Sequence, residues 1–223
     1  VPWAWGSLPM VVLPDRIAEP VDSWAALWNP KYKGKIITID DANNEIVMTA
    51  LLLGLTDPFN LTEADYGRIK DKLIAQKPFL RTYYSSFEEG VAILSGGDAW
   101  IGYTPGPTLI TMLNDRGVRA VEVVPKEGAL AWIDGGVVLT GGKRPDLAQA
   151  YLDHALSRDV QLAFVKKTKY GGVNADAAKD LPPDVLKAAH MDDPRYWDRL
   201  VLMRDVKDWD RRVKLWTEVK AAQ

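Results

Sequence analysis

The feature that most constrains this chain is an alternation of short β-branched runs with segments carrying helix start and stop signals. Ile36-Ile37-Thr38-Ile39 predicts a buried strand, and Asn44 to Gly54 then predicts a buried helix closed by its glycine. Thr62-Glu63-Ala64-Asp65 opens like a capping box, so a helix is expected to about Gln76, ahead of Pro78. Leu80 to Tyr84 reads as the next strand, and Ser86 caps a helix that ends near Gly96-Gly97. The same logic gives strands at 99–103, 120–124, 130–133 and 137–140, and helices at 107–116, 145–157 and 160–167. Strands separated by helices at this spacing require crossover connections, so the fold class is α/β.

The two ends follow other patterns. Residues 1–14 are apolar but broken by Pro2, Pro9 and Pro14, which predicts extended backbone with an edge strand. Ser23 precedes Trp24, Leu27 and Trp28, the spacing of a short helix stopped by Asn29-Pro30. Leu202, Val206, Trp209, Val213 and Trp216 fall on one helical face, so 195–220 is expected to be a single amphipathic helix.

Composition removes several functions. Of 223 residues, 28 are Lys or Arg and 30 are Asp or Glu, which leaves no basic stripe for nucleic acid. The longest apolar run, Ile46 to Leu55, is far short of the ~20 residues a bilayer span needs. There is no cysteine and there are only two histidines, His154 and His190, so thiolate chemistry and histidine-based metal sites are not expected. Tryptophan leads the aromatic set with 9 residues, a type suited to stacking on small ligands and cations as well as to core packing. The opening Val1-Pro2-Trp3 has no methionine and no charged region ahead of an apolar one, which suggests a removed leader or a piece of a longer chain.

Catalytic signatures fail on inspection. Gly-x-Ser-x-Gly and His-Glu-x-x-His do not occur, and Gly142-Lys143 lacks both the first glycine and the hydroxyl residue of a phosphate loop. Asn60-Leu61-Thr62 matches a glycosylation sequon, a pattern short enough to arise by chance. Asp40-Asp41 sits just past a strand, where open α/β sheets contact ligands. Two consecutive residues at a helix start do not face each other, and a helix cap explains them equally well. Trp132 and Asp134 share one side of their strand, an aromatic face beside a carboxylate that suits an ammonium group. Tyr103, at the end of another strand before a Pro-Gly turn, is a third candidate wall.

Taken together, Val1-Pro2-Trp3-Ala4-Trp5-Gly6-Ser7, Ser23-Trp24-Ala25-Ala26-Leu27-Trp28, Tyr32 to Ile36 and Asp40-Asp41-Ala42 resemble the spermidine/putrescine-type solute-binding proteins of ABC transporters. Val124 to Gly128, Trp132-Ile133-Asp134, Tyr170 to Asn174 and Trp216 to Lys220 fit the same family, in the same order. The resemblance implies a type II periplasmic binding protein architecture of two α/β lobes around a cleft. Residues 1–7 would be a hinge strand, 8–133 most of lobe 2, 134–178 part of lobe 1, and 179–223 helices returning to lobe 2. The first half of lobe 1 would then be absent from this sequence.

By position, the resemblance implies a polyamine-binding aspartate at Asp41, a stacking tryptophan at Trp132, the main amine-binding aspartate at Asp134 and a cleft tyrosine at Tyr170. Tyr103 lies where the family usually has tryptophan. Asn44 stands where spermidine binders of the family have a second acidic residue, and Gly106 stands where putrescine binders can have an aspartate. A polyamine is therefore the first expectation, with a monoamine or zwitterion such as γ-aminobutyrate or an amino acid as the alternative. The expected partners are a small amine and a membrane permease, with no cofactor, no catalysis and a periplasmic location. A small hydrolase using Asp40, Asp41 or Asp134 as base, and an interaction-only fragment that pairs with a second copy through exposed apolar surface, are the competing readings.

Overall fold

Two sheets share the N-terminal segment of the chain, as seen in a computed structural model that describes residues 1–222. Strand β1 (Pro2–Leu8) lies in a four-stranded sheet, and β2 (Met10–Val12) lies in a five-stranded one. Pro9 falls between them, where a missing N–H costs no ladder bond. The proline pattern therefore marks strand ends. Neither strand is an edge: β1 pairs with two neighbours and β2 with two others, which corrects the edge-strand expectation.

The five-stranded sheet is built from β3 (Ile36–Ile39), β4 (Leu80–Tyr84), β5 (Ile101–Tyr103) and β6 (Val121–Val123) together with β2. Its order is β4-β3-β5-β2-β6, with β3 parallel to β4 and β5, and β2 antiparallel to β5 and β6. The crossovers carry α1 (Ala42–Leu52), α2 (Glu63–Gln76), α3 (Phe87–Ser95) and α4 (Pro107–Asp115). Helix α1 is buried on two sides. Val47, Met48 and Leu51 join the sheet core, while Ile46 and Ala50 pack with Tyr66, Ile69 and Leu73 of α2. Such a helix has little amphipathicity, in keeping with its nearly unbroken apolar run.

Strand β7 (Ala129–Gly135) pairs antiparallel with β1 along its length, Leu8 with Leu130 and Gly6 with Trp132. Beyond it, α5 (Pro145–Ala155), α6 (Arg158–Thr168) and β8 (Gly171–Gly172) follow, and β8 covers the other side of β1. Short helices α7 (Ala175–Ala178) and α8 (Pro183–Ala188) come next, and Val165 of α6 packs with Leu181, Val185 and Ala189. Residues 137–140, expected to be a strand, are instead an exposed turn with Val137 and Leu139 in solvent. An isolated apolar run with no neighbour to pair with cannot satisfy its backbone as a strand.

The expected helix over 195–220 is also corrected. Tyr196–Arg199 form a 3₁₀ turn, β9 (Leu200–Leu202) adds parallel to β7, and helix α9 spans only Trp209–Ala221. Its buried face is Arg212, Leu215, Trp216 and Val219, so Trp209 and Val213 point to solvent. Tyr196 ties this segment to both sheets: its hydroxyl lies 2.7 Å from Ser7 Oγ and donates to Glu122 Oε1 at 2.7 Å. His190 stacks on its ring at 3.8 Å and reaches Glu122 Oε2 at 2.9 Å.

Candidate functional site

Asp40 and Asp41 follow β3 at the C-terminal end of the parallel strands, where open sheets expose the mouths of their crossovers. They do different work. Asp40 Oδ1 accepts from Trp216 Nε1 and from Lys220 Nζ, both at 2.7 Å, and so fastens α9 to the sheet. Burial opposes ionisation of Asp40, but these hydrogen bonds outweigh it and hold its carboxyl below the usual range. Asp41 caps α1, its Oδ1 accepting from the Asn44 N–H at 2.8 Å. Asn44 lies in the first turn beside it, and both side chains are half-buried.

The β1–β7 side of the site is aromatic. The Trp132 indole lies across β1 at Gly6, where a Cβ would come within 2.5 Å of the ring. Tyr170 meets that indole edge-on at a centroid distance of 4.8 Å. On its far side, Tyr170 closes on Gly106, whose φ of 149° suits glycine and whose missing Cβ would lie 3.2 Å from the ring. Two glycines thus make room for two rings at the crossing of the strands. Asp134, two residues beyond Trp132 and opposite Ala4, is exposed. Helix α1, which Asp41 caps, packs against β7, the strand that carries Trp132 and Asp134.

Tyr103 is placed differently from the other candidates. It is fully buried, edge-on to Trp24 at 5.0 Å, so its ring forms part of the core beneath the site. Burial, then the charges of Glu45 and Asp41, drive its hydroxyl far above the ordinary range. The structure therefore joins Trp132 with Tyr170, sets Asp41 beside Asn44, leaves Asp134 in solvent and buries Tyr103. Sequence reasoning passed over Gly6, read Gly106 only as a missing acid rather than as room for a ring, and passed over Glu45, a buried acid one turn after Asp41. The signal for Glu45 was an acidic residue opening an otherwise apolar helix run.

Among the described residues, no group of three or more His, Asp or Glu side chains is placed to hold a metal ion. Among the same residues, no helix is long and apolar enough to cross a membrane. What the arrangement offers chemically is an aromatic corner with carboxylates at its margins, the elements that attract an organic cation.

Known proteins resemble this chain in sequence and fold. The chain is 28% identical over 195 residues to the spermidine/putrescine-binding periplasmic protein of Escherichia coli K12, covering 83% of this chain and 52% of that one. It is 29% identical over 215 residues to the putrescine/cadaverine-binding protein of Pseudomonas aeruginosa, covering 91% of this chain and 59% of that protein. It thus spans only somewhat over half the length of these curated relatives. In fold it matches the substrate-binding protein PotD of a Streptococcus pneumoniae spermidine/putrescine ABC transporter, with a TM-score of 0.83, 22% identity, 99% of this chain and 68% of that one. The expected α/β binding-protein architecture is borne out, as a partial two-lobe fold. The bacterial extracellular solute-binding protein profile matches residues 1–193, and the chain belongs to that family.

Proposed function

We propose that this chain is the substrate-binding component of an ABC importer for a small cationic amine such as putrescine or spermidine, acting by lobe closure without catalysis. The observation that carries this reading is the Trp132–Tyr170 corner, with ring centroids 4.8 Å apart and Trp132 on the same strand, β7, as Asp134. An indole face attracts an ammonium group and a carboxylate neutralises it. Asp41, on the helix that packs against β7, supplies a second acid for the other end of a diamine. The relatives named for putrescine and spermidine support the same class of ligand. The partner is a membrane permease, the setting is periplasmic, and residues 1–7, 8–133, 134–178 and 179–223 act as hinge strand, lobe 2, partial lobe 1 and returning helices.

Asn44 and Gly106 favour a second reading, a monoamine or zwitterion such as γ-aminobutyrate, because each occupies a position where another acid would serve a longer polycation. Calorimetric titration with putrescine, spermidine and γ-aminobutyrate separates the two. Asp134→Ala should abolish amine binding, and an unchanged affinity in that variant would refute the site assignment. A second copy of the chain covering the exposed turn at Val137 and Leu139 is proposed as a further partner.

A further inference from the structure

Glu45 has no evident structural purpose. It is fully buried on α1, one turn beyond Asp41, and its backbone N–H bonds to the Asp41 carbonyl at 3.1 Å. Thr38 of β3 donates to its Oε1. Its Oε2 has no partner among the described residues, and neither do the buried Thr49 hydroxyl one turn further along α1 and the Tyr103 hydroxyl at the end of β5. An acid left half unpaired in a core holds nothing together, and an apolar side chain there would cost less.

We propose that Glu45 is a positioning residue of the ligand site, a buried acid beneath Asp41 that surrenders its proton to solvent when an ammonium group docks above it. The inference rests on the amine reading of the site. The charges that act on Glu45, Asp41 and Asp40, are of its own sign, while the α9 cations Lys220 and Arg212 are committed elsewhere, Lys220 to Asp40 and Arg212 to Asp208 and Asn43. Asp41 and Asp40 raise its proton affinity, and the Asp40 charge is already partly answered by Lys220. Tyr83, Tyr84 and Tyr103, from β4 and β5, are kept neutral first by burial, and ionised Glu45 would only reinforce this. The Thr38 hydroxyl is its side-chain hydrogen-bond partner. Burial, opposed by that hydroxyl, pushes the carboxyl up to about 8, so at neutral pH it is a neutral acid.

A cation arriving at Asp41 reverses the balance. A unit charge roughly 7 Å away across an effective dielectric of about 20 weakens proton binding by roughly fiftyfold. The O–H bond of Glu45 breaks, its electron pair stays on the carboxylate, and the proton passes to bulk buffer. Ligand binding is then linked to proton release, and affinity rises as the free protein comes to carry Glu45 ionised.

The test is calorimetric titration of the full 223-residue chain with putrescine at pH 6.0 and 8.5, repeated at pH 7.5 in phosphate and in Tris. The wild-type chain should bind on the order of tenfold tighter at pH 8.5 and release a fraction of one proton at pH 7.5. Glu45→Gln keeps the shape and cannot ionise, so it should bind with no pH dependence from this source and no buffer-dependent heat. The buffer comparison needs no variant, so a poorly folded mutant would leave the test intact. Binding by the wild-type chain with flat affinity and no proton release would overturn this inference alone, as would an identical pH profile in Glu45→Gln. Absence of any putrescine heat at either pH would overturn the amine reading together with it.

Discussion

An acid shut away from water binds its proton more tightly in the folded chain than in the unfolded one, and Glu45 is such an acid, raised from its ordinary 4.5 to about 8. Below 4.5 both states hold the proton and pH has no effect through this group. From 4.5 to 8 the unfolded chain has lost its proton while the folded chain keeps it, so stability falls as pH rises. Above 8 both are ionised and the loss is complete. At ~1.4 kcal/mol per pKa unit this slope removes several kcal/mol. Urea denaturation between pH 5 and 9 should show that decline in the wild-type chain, and Glu45→Gln should lack it. Parallel profiles for the two would refute the assignment.

Individual elements were legible where their ends carry chemistry. Thr62 accepts from the Asp65 N–H, and the Asp65 carboxylate accepts from the Thr62 N–H at 3.0 Å, so α2 begins at its capping box. Thr62→Ala should lower stability by about 1 kcal/mol by removing that cap, read as a lower denaturation midpoint at constant slope. An unshifted midpoint would show that packing on α1 and α9 alone sets the helix start. The C-terminal helix was misread because its buried face opens with a charge. Arg212 is fully buried, donating to Asp208 at 3.1 Å, to Asn43 at 3.0 Å and to the Pro58 carbonyl at 2.9 Å. Apolar periodicity cannot register a core position held by a satisfied guanidinium. The aromatic corner was half legible for a related reason: Trp132 and Tyr170 are visible as residues, but the two glycines that admit their rings act through a missing Cβ.

For the molecule as a whole, apolar surface is distributed unevenly. Helix α5 has no buried residue and carries Tyr151, 71% exposed, and the turn before it carries Val137 and Leu139, 78% and 72% exposed. Contiguous apolar surface of this kind marks a contact area. Sedimentation should give a mass that rises with concentration, and Leu139→Asp with Tyr151→Asp should return it to one chain. A single-chain mass at every concentration would refute self-association. The two-sheet path of the opening segment has a further consequence, for synthesis. Ala4 must wait for Gly172 and Leu8 for Leu130, while Met10 waits for Tyr103 and Val123. Strands β1 and β2 are thus made well before the strands they pair with, and closure of long loops governs the folding rate. Until then an apolar N-terminal ribbon is exposed to every other nascent chain, so the interval before β7 emerges is when this protein most needs a chaperone.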